Sequence, residues 1–133
     1  MKYLIMVLLM VFFSNSFCQN YETIKIGNLE IMKKDIVNLE SEFGADWYAA
    51  KKTCTNLGAG WRLPTKDELN VLYKNKEKIG GFNTGFYWSS SQSKSVDPND
   101  KIGDAYVLFF ENGIQTTYFK YGYAQVRPVK TVK

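Results

Sequence analysis

The chain has 133 residues, carries a formal charge of +4 and is 16% aromatic. That length suits one folded unit rather than two, and the aromatics can supply its core. So small a positive excess, spread along the chain, argues against a nucleic-acid footprint. The absence of histidine removes the usual general base near neutral pH, any His-based triad and the usual nitrogen ligands of zinc.

The first residues follow a secretion pattern. Lys2 gives a positive start, and the apolar run from Tyr3 to Phe13 leads into a polar "SNS". That run is too short to span a bilayer as a helix. Ser16 and Cys18 are the small residues a signal peptidase prefers, so the expectation is a signal peptide over 1–18, cleavage before Gln19 and one domain over 19–133. The competing reading makes Cys18 the lipid-anchored first residue of a lipoprotein; Asn15 and bulky Phe17 fit that processing poorly. If Cys18 leaves, Cys54 is the one remaining cysteine and no intramolecular disulfide can form.

In chain order, "TIKIGNLEI" alternates apolar and polar residues about Gly27-Asn28, which predicts a hairpin with Ile24 and Ile26 on one arm and Leu29 and Ile31 on the other. The period then changes. Trp47, Ala50, Cys54 and Leu57 fall at helical spacing, with Asp46 as the cap and Gly58 as the stop. Cys54 lies on the apolar stripe and reads as a small buried hydrophobe. "GWRLPTKDELNVLY" supplies a second helix start: Thr65 and Glu68 have capping-box spacing, Pro64 holds Leu63 extended, and Leu63 can staple against Leu69. Beyond it, "GFYWSSS" predicts a strand, and "SQSKSVDPNDKIGD" a turn-rich loop. "AYVLFFENGIQTTYFK" predicts a hairpin with a type I′ turn at Asn112-Gly113. "YAQVRPVK" closes the chain as a strand that Pro128 confines to an edge or an end. Strands, two helices, then strands make an α+β arrangement.

"GWRLPTKDELNVLY", "YWSSS", "FFENG" and "VRPVK", in that order, resemble the Lcl C-terminal domain family of bacterial proteins, formerly a domain of unknown function and close to FISUMP-type major paralogous domains. The resemblance runs from about Ile24 to Lys130. It implies a C-type-lectin-like fold, two helices packed on antiparallel β-sheets, in a superfamily shared with formylglycine-generating enzymes. It also implies export, with adhesion or glycosaminoglycan binding in some members. The chain departs from true C-type lectins in lacking paired cysteines and the calcium-loop sugar motif, of which "VDPND" is a loose echo. It departs from formylglycine-generating enzymes in lacking their cysteine equipment. Fold alone does not carry either chemistry across.

Candidate site residues are few. Ser89, Ser90 and Ser91 have no base at a telling spacing, and Asp67 and Glu68 suit the first turn of a helix rather than a paired-carboxylate site. No catalytic residue is assigned. Asp97, Asn99, Asp100 and Asp104 offer oxygen donors for calcium, against the reading of an ordinary turn. Arg62 and Arg127 can clamp an anionic ligand or tie elements together through Asp67 or Glu68. Trp61 and Trp88 suit core or rim packing, against the reading of platforms for a sugar. Tyr106, Tyr118, Tyr121 and Tyr123, with Lys120 among them, form the candidate ligand face, completed by Arg127 and by the loop from Ser91 to Asp104, against the reading of cross-strand packing that stiffens the sheet. The expected function is that of an exported, non-catalytic module binding extracellular glycans or proteins. The rival readings are an assembly component of a surface or secretion complex, and an enzyme related to formylglycine generation.

Overall fold

The computed structural model describes residues 20–37 and 41–133; the expected signal segment, Cys18 and the cleavage point lie outside them. Two antiparallel three-stranded sheets organise the chain. The first joins β1 (Thr23–Ile26), β2 (Leu29–Met32) and β6 (Val129–Thr131). The second joins β3 (Phe86–Ser93), β4 (Asp104–Phe109) and β5 (Ile114–Phe119). Three helices lie between them in sequence: α1 (Trp47–Asn56), α2 (Lys66–Lys74) and the single turn α3 (Lys76–Ile79). The fold is thus the expected α+β arrangement, with α3 as an element that "NKEKIGG" did not announce.

Alternation along β3 explains how the layers stack. Successive strand residues point to opposite faces, so Tyr87 and Trp88 enter different cores. Trp88 joins Trp47, Ala50 and Cys54 of α1 with Ala105 and Val107 of β4. Tyr87 joins Leu69 and Leu72 of α2 with Leu108, and with Leu29, Ile31 and Val129 of the first sheet. The second sheet therefore has α1 on one face, and α2 with the first sheet on the other. The two indoles close the first core with a crossed pair of bonds. Trp47 Nε1 donates to Ser89 O at 2.8 Å, while Trp88 Nε1 donates to Ala45 O at 2.7 Å. Each buried indole N–H is satisfied by a carbonyl from beside the other tryptophan, so neither burial leaves an orphan donor.

The start of α2 forms as the spacing requires. Thr65 Oγ1 accepts from Glu68 N, and the Glu68 carboxylate accepts from Thr65 N, which completes the capping box. A second hydroxyl assists: Ser91 Oγ accepts from Lys66 N at 2.9 Å. Ser91 reaches it because β3 bulges between Trp88 and Gln92. The serines of "YWSSS" thus end one strand's regular pairing and cap a helix. Leu63 belongs to the first core and Leu69 to the second, so the expected staple between them gives way to separate burials. Thr65→Ala removes the cap acceptor and should cost about 1 kcal/mol of unfolding free energy. Urea melts of the two proteins measure it; an unchanged midpoint would show the cap to be idle.

The hairpin turn differs from the expected type I′. That type needs positive φ at both central residues, and no non-glycine residue has positive φ among those described. Pairing instead begins at Phe109↔Ile114 around a four-residue loop. Gly113, at φ 78°, takes the left-handed position alone, and Asn112 Oδ1 accepts from Ile114 N at 3.0 Å.

Candidate functional site

The register of β4 and β5 sorts the candidate tyrosines. Tyr106 pairs with Thr117 and Ala105 pairs with Tyr118. Directly opposed residues share a face, so Tyr106 and Tyr118 point to opposite sides of the sheet. Tyr106 lies on the α2 side, with Lys66 Nζ 4.5 Å from its ring centre. Tyr118 leans across small Ala105 to pack on the first core, 5.7 Å from Trp88 and 5.9 Å from Phe86 between ring centres. Gly122 makes room for it, because a Cβ there would collide with the Tyr118 ring. Both are packing residues first.

Lys120 and Arg127, expected on the ligand face, are both buried. Lys120 is 4% exposed. Its Nζ donates to Gln92 Oε1 at 2.8 Å and to Ile102 O at 2.7 Å, and sits 4.6 Å from the Trp47 ring centre. Burial needs such partners for a charge, so this cation fastens the long loop to the body instead of meeting an anionic ligand.

Arg127 is fully buried, at 0% exposure. Its Nε donates to Asp35 Oδ1 at 2.8 Å, and its Nη1 donates to the carbonyls of Met32 and Gly80, both at 3.0 Å. Nη2 lies 2.8 Å from the same Asp35 oxygen, an ion-pair contact without the alignment of a hydrogen bond. The guanidinium also stacks 3.8 Å from the centre of the Phe82 ring. Tyr87 Oη donates to Asp35 Oδ2 at 2.6 Å and accepts from Asn83 N at 2.8 Å. Burial raises the Asp35 carboxyl above its ordinary range, against the opposing Arg127 charge and the hydrogen bonds from Tyr87 and Arg127. Burial, followed by the neighbouring carboxylate, raises the Tyr87 phenol. The network ties β2, the start of β3 and the last segment together and presents nothing to solvent through Arg127.

Arg62 matches its structural alternative. It grips Glu68 with both nitrogens, at 2.6 and 3.0 Å. Burial alone would raise the Glu68 carboxyl, but the Arg62 and Thr65 hydrogen bonds hold it below the usual range. Cys54 is buried, and burial pushes its thiol up to about 12, which suits a packing residue rather than a nucleophile.

The four loop residues that offered oxygen donors have partners of their own or end the loop. Asp97 Oδ1 accepts from Asn99 N, and Asp100 Oδ1 accepts from the N–H groups of Ile102 and Gly103. Those backbone bonds hold the Asp100 carboxyl below its ordinary range. Among the described residues, no three His, Cys, Asp or Glu side chains are grouped to hold a metal ion. Asp97, Asn99 and Asp100 shape turns, and Asp104 begins β4. The loop they shape encloses an open cleft of about 740 Å³ that runs from Gln92 to Gly103.

What remains on the surface is a tyrosine corner. Tyr121 is 59% exposed, and Tyr48, at 44%, lies beside it with ring centres 5.9 Å apart. Tyr123 is exposed on the same short segment. Lys120 Nζ lies 6.0 Å from the Tyr48 ring centre, so the lysine that fastens the loop also sits beneath this corner. Tyr48 was missed because α1 was read by its buried stripe. The available signal was an aromatic one position off that stripe.

Two packed sheets with helices between them in sequence, and a long loop before the last hairpin, define a C-type-lectin-like domain. Solved structures similar to it include EMS16, an antagonist of collagen receptor integrin alpha2beta1 (GPIa/IIa), and botrocetin. EMS16 superposes with a TM-score of 0.57 at 10% identity, covering 83% of this chain and 97% of that one. Botrocetin gives 0.55 at 9%, covering 83% and 96%. At such identities the likeness is one of fold. The chain belongs to the Lcl C-terminal domain family, whose sequence profile matches residues 18–130. No curated protein sequence matches it significantly. Among the described residues, no helix is long and apolar enough to cross a membrane.

Proposed function

We propose that this is an exported, non-catalytic binding module for extracellular glycans or proteins, and that its ligand face is the tyrosine corner with the adjoining loop from Ser91 to Asp104. The observation that carries the reading is the exposed Tyr48–Tyr121 pair, seated beside a loop fastened by Lys120. Exposed, preorganised tyrosines offer flat apolar faces with polar rims at little entropic cost, which suits stacking on sugar rings or gripping a protein. The absence of histidine and the structural employment of Ser91, Arg62 and Arg127 favour binding over catalysis. Export rests on the leader pattern of residues 1–18.

The test combines a glycan array with affinity capture from extracellular material, using the chain as secreted. Tyr121→Ala and Tyr48→Ala should each weaken retention of the ligand about tenfold or more, the scale of an interface hot spot. Tyr106→Ala, on the far side of the sheet, should leave it unchanged. Equal effects from all three, or none from the first two, would reject this face.

A further inference from the structure

The second sheet has two outer edges, and they are treated differently. Outside its pairing with β4, β3 is covered: Trp88 N donates to Gln125 O, Gln125 N to Phe86 O, and Ser90 N to Pro64 O. Beyond β5 no backbone partner reaches Gln115–Tyr118 among the described residues. Proteins commonly guard such an edge with lysine, proline, a bulge or a very short strand. In the first sheet, four-residue β1 follows that practice and carries Lys25. β5 does not. Its sequence, "IQTTYF", has six residues with no charge, proline or glycine, and it pairs with β4 in unbroken register. Side chains on this edge are well exposed, with Ile114 at 59% and Phe119 at 55%.

We infer that β5 is a self-association surface, and that a second copy of this chain pairs with it antiparallel about a two-fold axis through Thr116. The occupant is argued from the strand's own symmetry. A two-fold perpendicular to the sheet keeps each face continuous between copies. It sets Thr116 opposite Thr116 of the second copy, Gln115 opposite Thr117, and Ile114 opposite Tyr118. Hydroxyl therefore meets hydroxyl, and apolar side chains meet on the α1 face, where β-strand neighbours gain most.

That face is already apolar inward of the edge. Phe109 opposes Ile114 and packs on half-exposed Phe86 at 5.0 Å between ring centres. Pairing centred on Thr116 sets each Ile114, beside its own Phe86–Phe109 pair, against Tyr118 of the second copy and adds side-chain burial to the backbone bonds. No like charges oppose each other in this register, because the strand has none. Since the β3 edge is covered, the assembly closes at two copies and does not propagate as a fibre.

Sedimentation velocity of the secreted chain across a concentration series reads the state directly, and a reversible monomer–dimer equilibrium is expected. Thr116→Lys sets two like charges face to face and should raise the dimer dissociation constant roughly tenfold, as should Thr116→Glu. Thermal melts confirm that each variant is folded. An equimolar mixture of the two folded variants should recover the dimer as a mixed pair, which a merely damaged strand would not do. A monomer at every concentration overturns the proposal. So does a dimer indifferent to Thr116→Lys, or folded variants that fail to recover association when mixed.

Discussion

Arg127→Ala should lower the unfolding free energy by about 3–5 kcal/mol, the scale for breaking a buried ion pair from one side. The loss comes less from the attraction removed than from what stays behind. Asp35 keeps a largely buried carboxyl, and the carbonyls of Met32 and Gly80 lose their shared donor. Arg127→Lys should recover little, because an ammonium cannot reproduce the fork that meets Asp35 and two carbonyls while stacking on Phe82. The pH dependence has a definite sign. Without the guanidinium, the already raised Asp35 carboxyl rises further in the folded state. A folded-state pKa above the unfolded one contributes stability that is fully present at low pH and lost as pH rises. The deficit of Arg127→Ala should therefore be smallest below about pH 4 and grow toward neutrality. Urea titrations at both pH values measure it; a deficit independent of pH would mean that Asp35 is not the group left uncompensated.

Trp88→Ala is expected to be comparably damaging, at about 3–5 kcal/mol for a buried tryptophan. The indole is fully buried where α1, β3 and β4 meet. Its removal opens a cavity and takes from Ala45 O one of its two donors, leaving only Ala124 N. Tyr118 would lose the ring on which it leans, so the near-ultraviolet dichroism should change along with the urea midpoint. Trp61 makes a useful contrast. It is only partly buried, with Lys130 Nζ 4.9 Å from its ring centre, and Trp61→Ala should cost far less. If the two substitutions prove equal, Trp88 is not the keystone of the first core.

How far these features could be read in advance depends on sequence distance. Thr65 and Glu68 are three residues apart, and a capping box is a local device that spacing alone reveals. The Asn112-Gly113 hairpin was equally legible as a hairpin, whereas its turn type depended on how many residues the loop held. Asp35 and Arg127 stand 92 positions apart, and nothing local marks either as the other's partner. That is why Arg127 could be read as a ligand contact. Lys120 misled for a related reason: a lysine among tyrosines looks like an exposed cation until Gln92 and Ile102 are seen to receive it. The division of Tyr106 from Tyr118 follows from strand alternation once the hairpin is accepted, so that part of the site was recoverable from the sequence. The meeting of Tyr48 with Tyr121 was not, since it requires α1 to dock beside the end of β5.

Cys54 lies sealed in the first core, and the crossed indole bonds, the capping box and the Asp35–Arg127 pair supply the ties that many small extracellular domains obtain from cystines. The fold of the described residues therefore leans on no disulfide, and the core that surrounds Cys54 shields its thiol from oxidants and from exchange with other thiols.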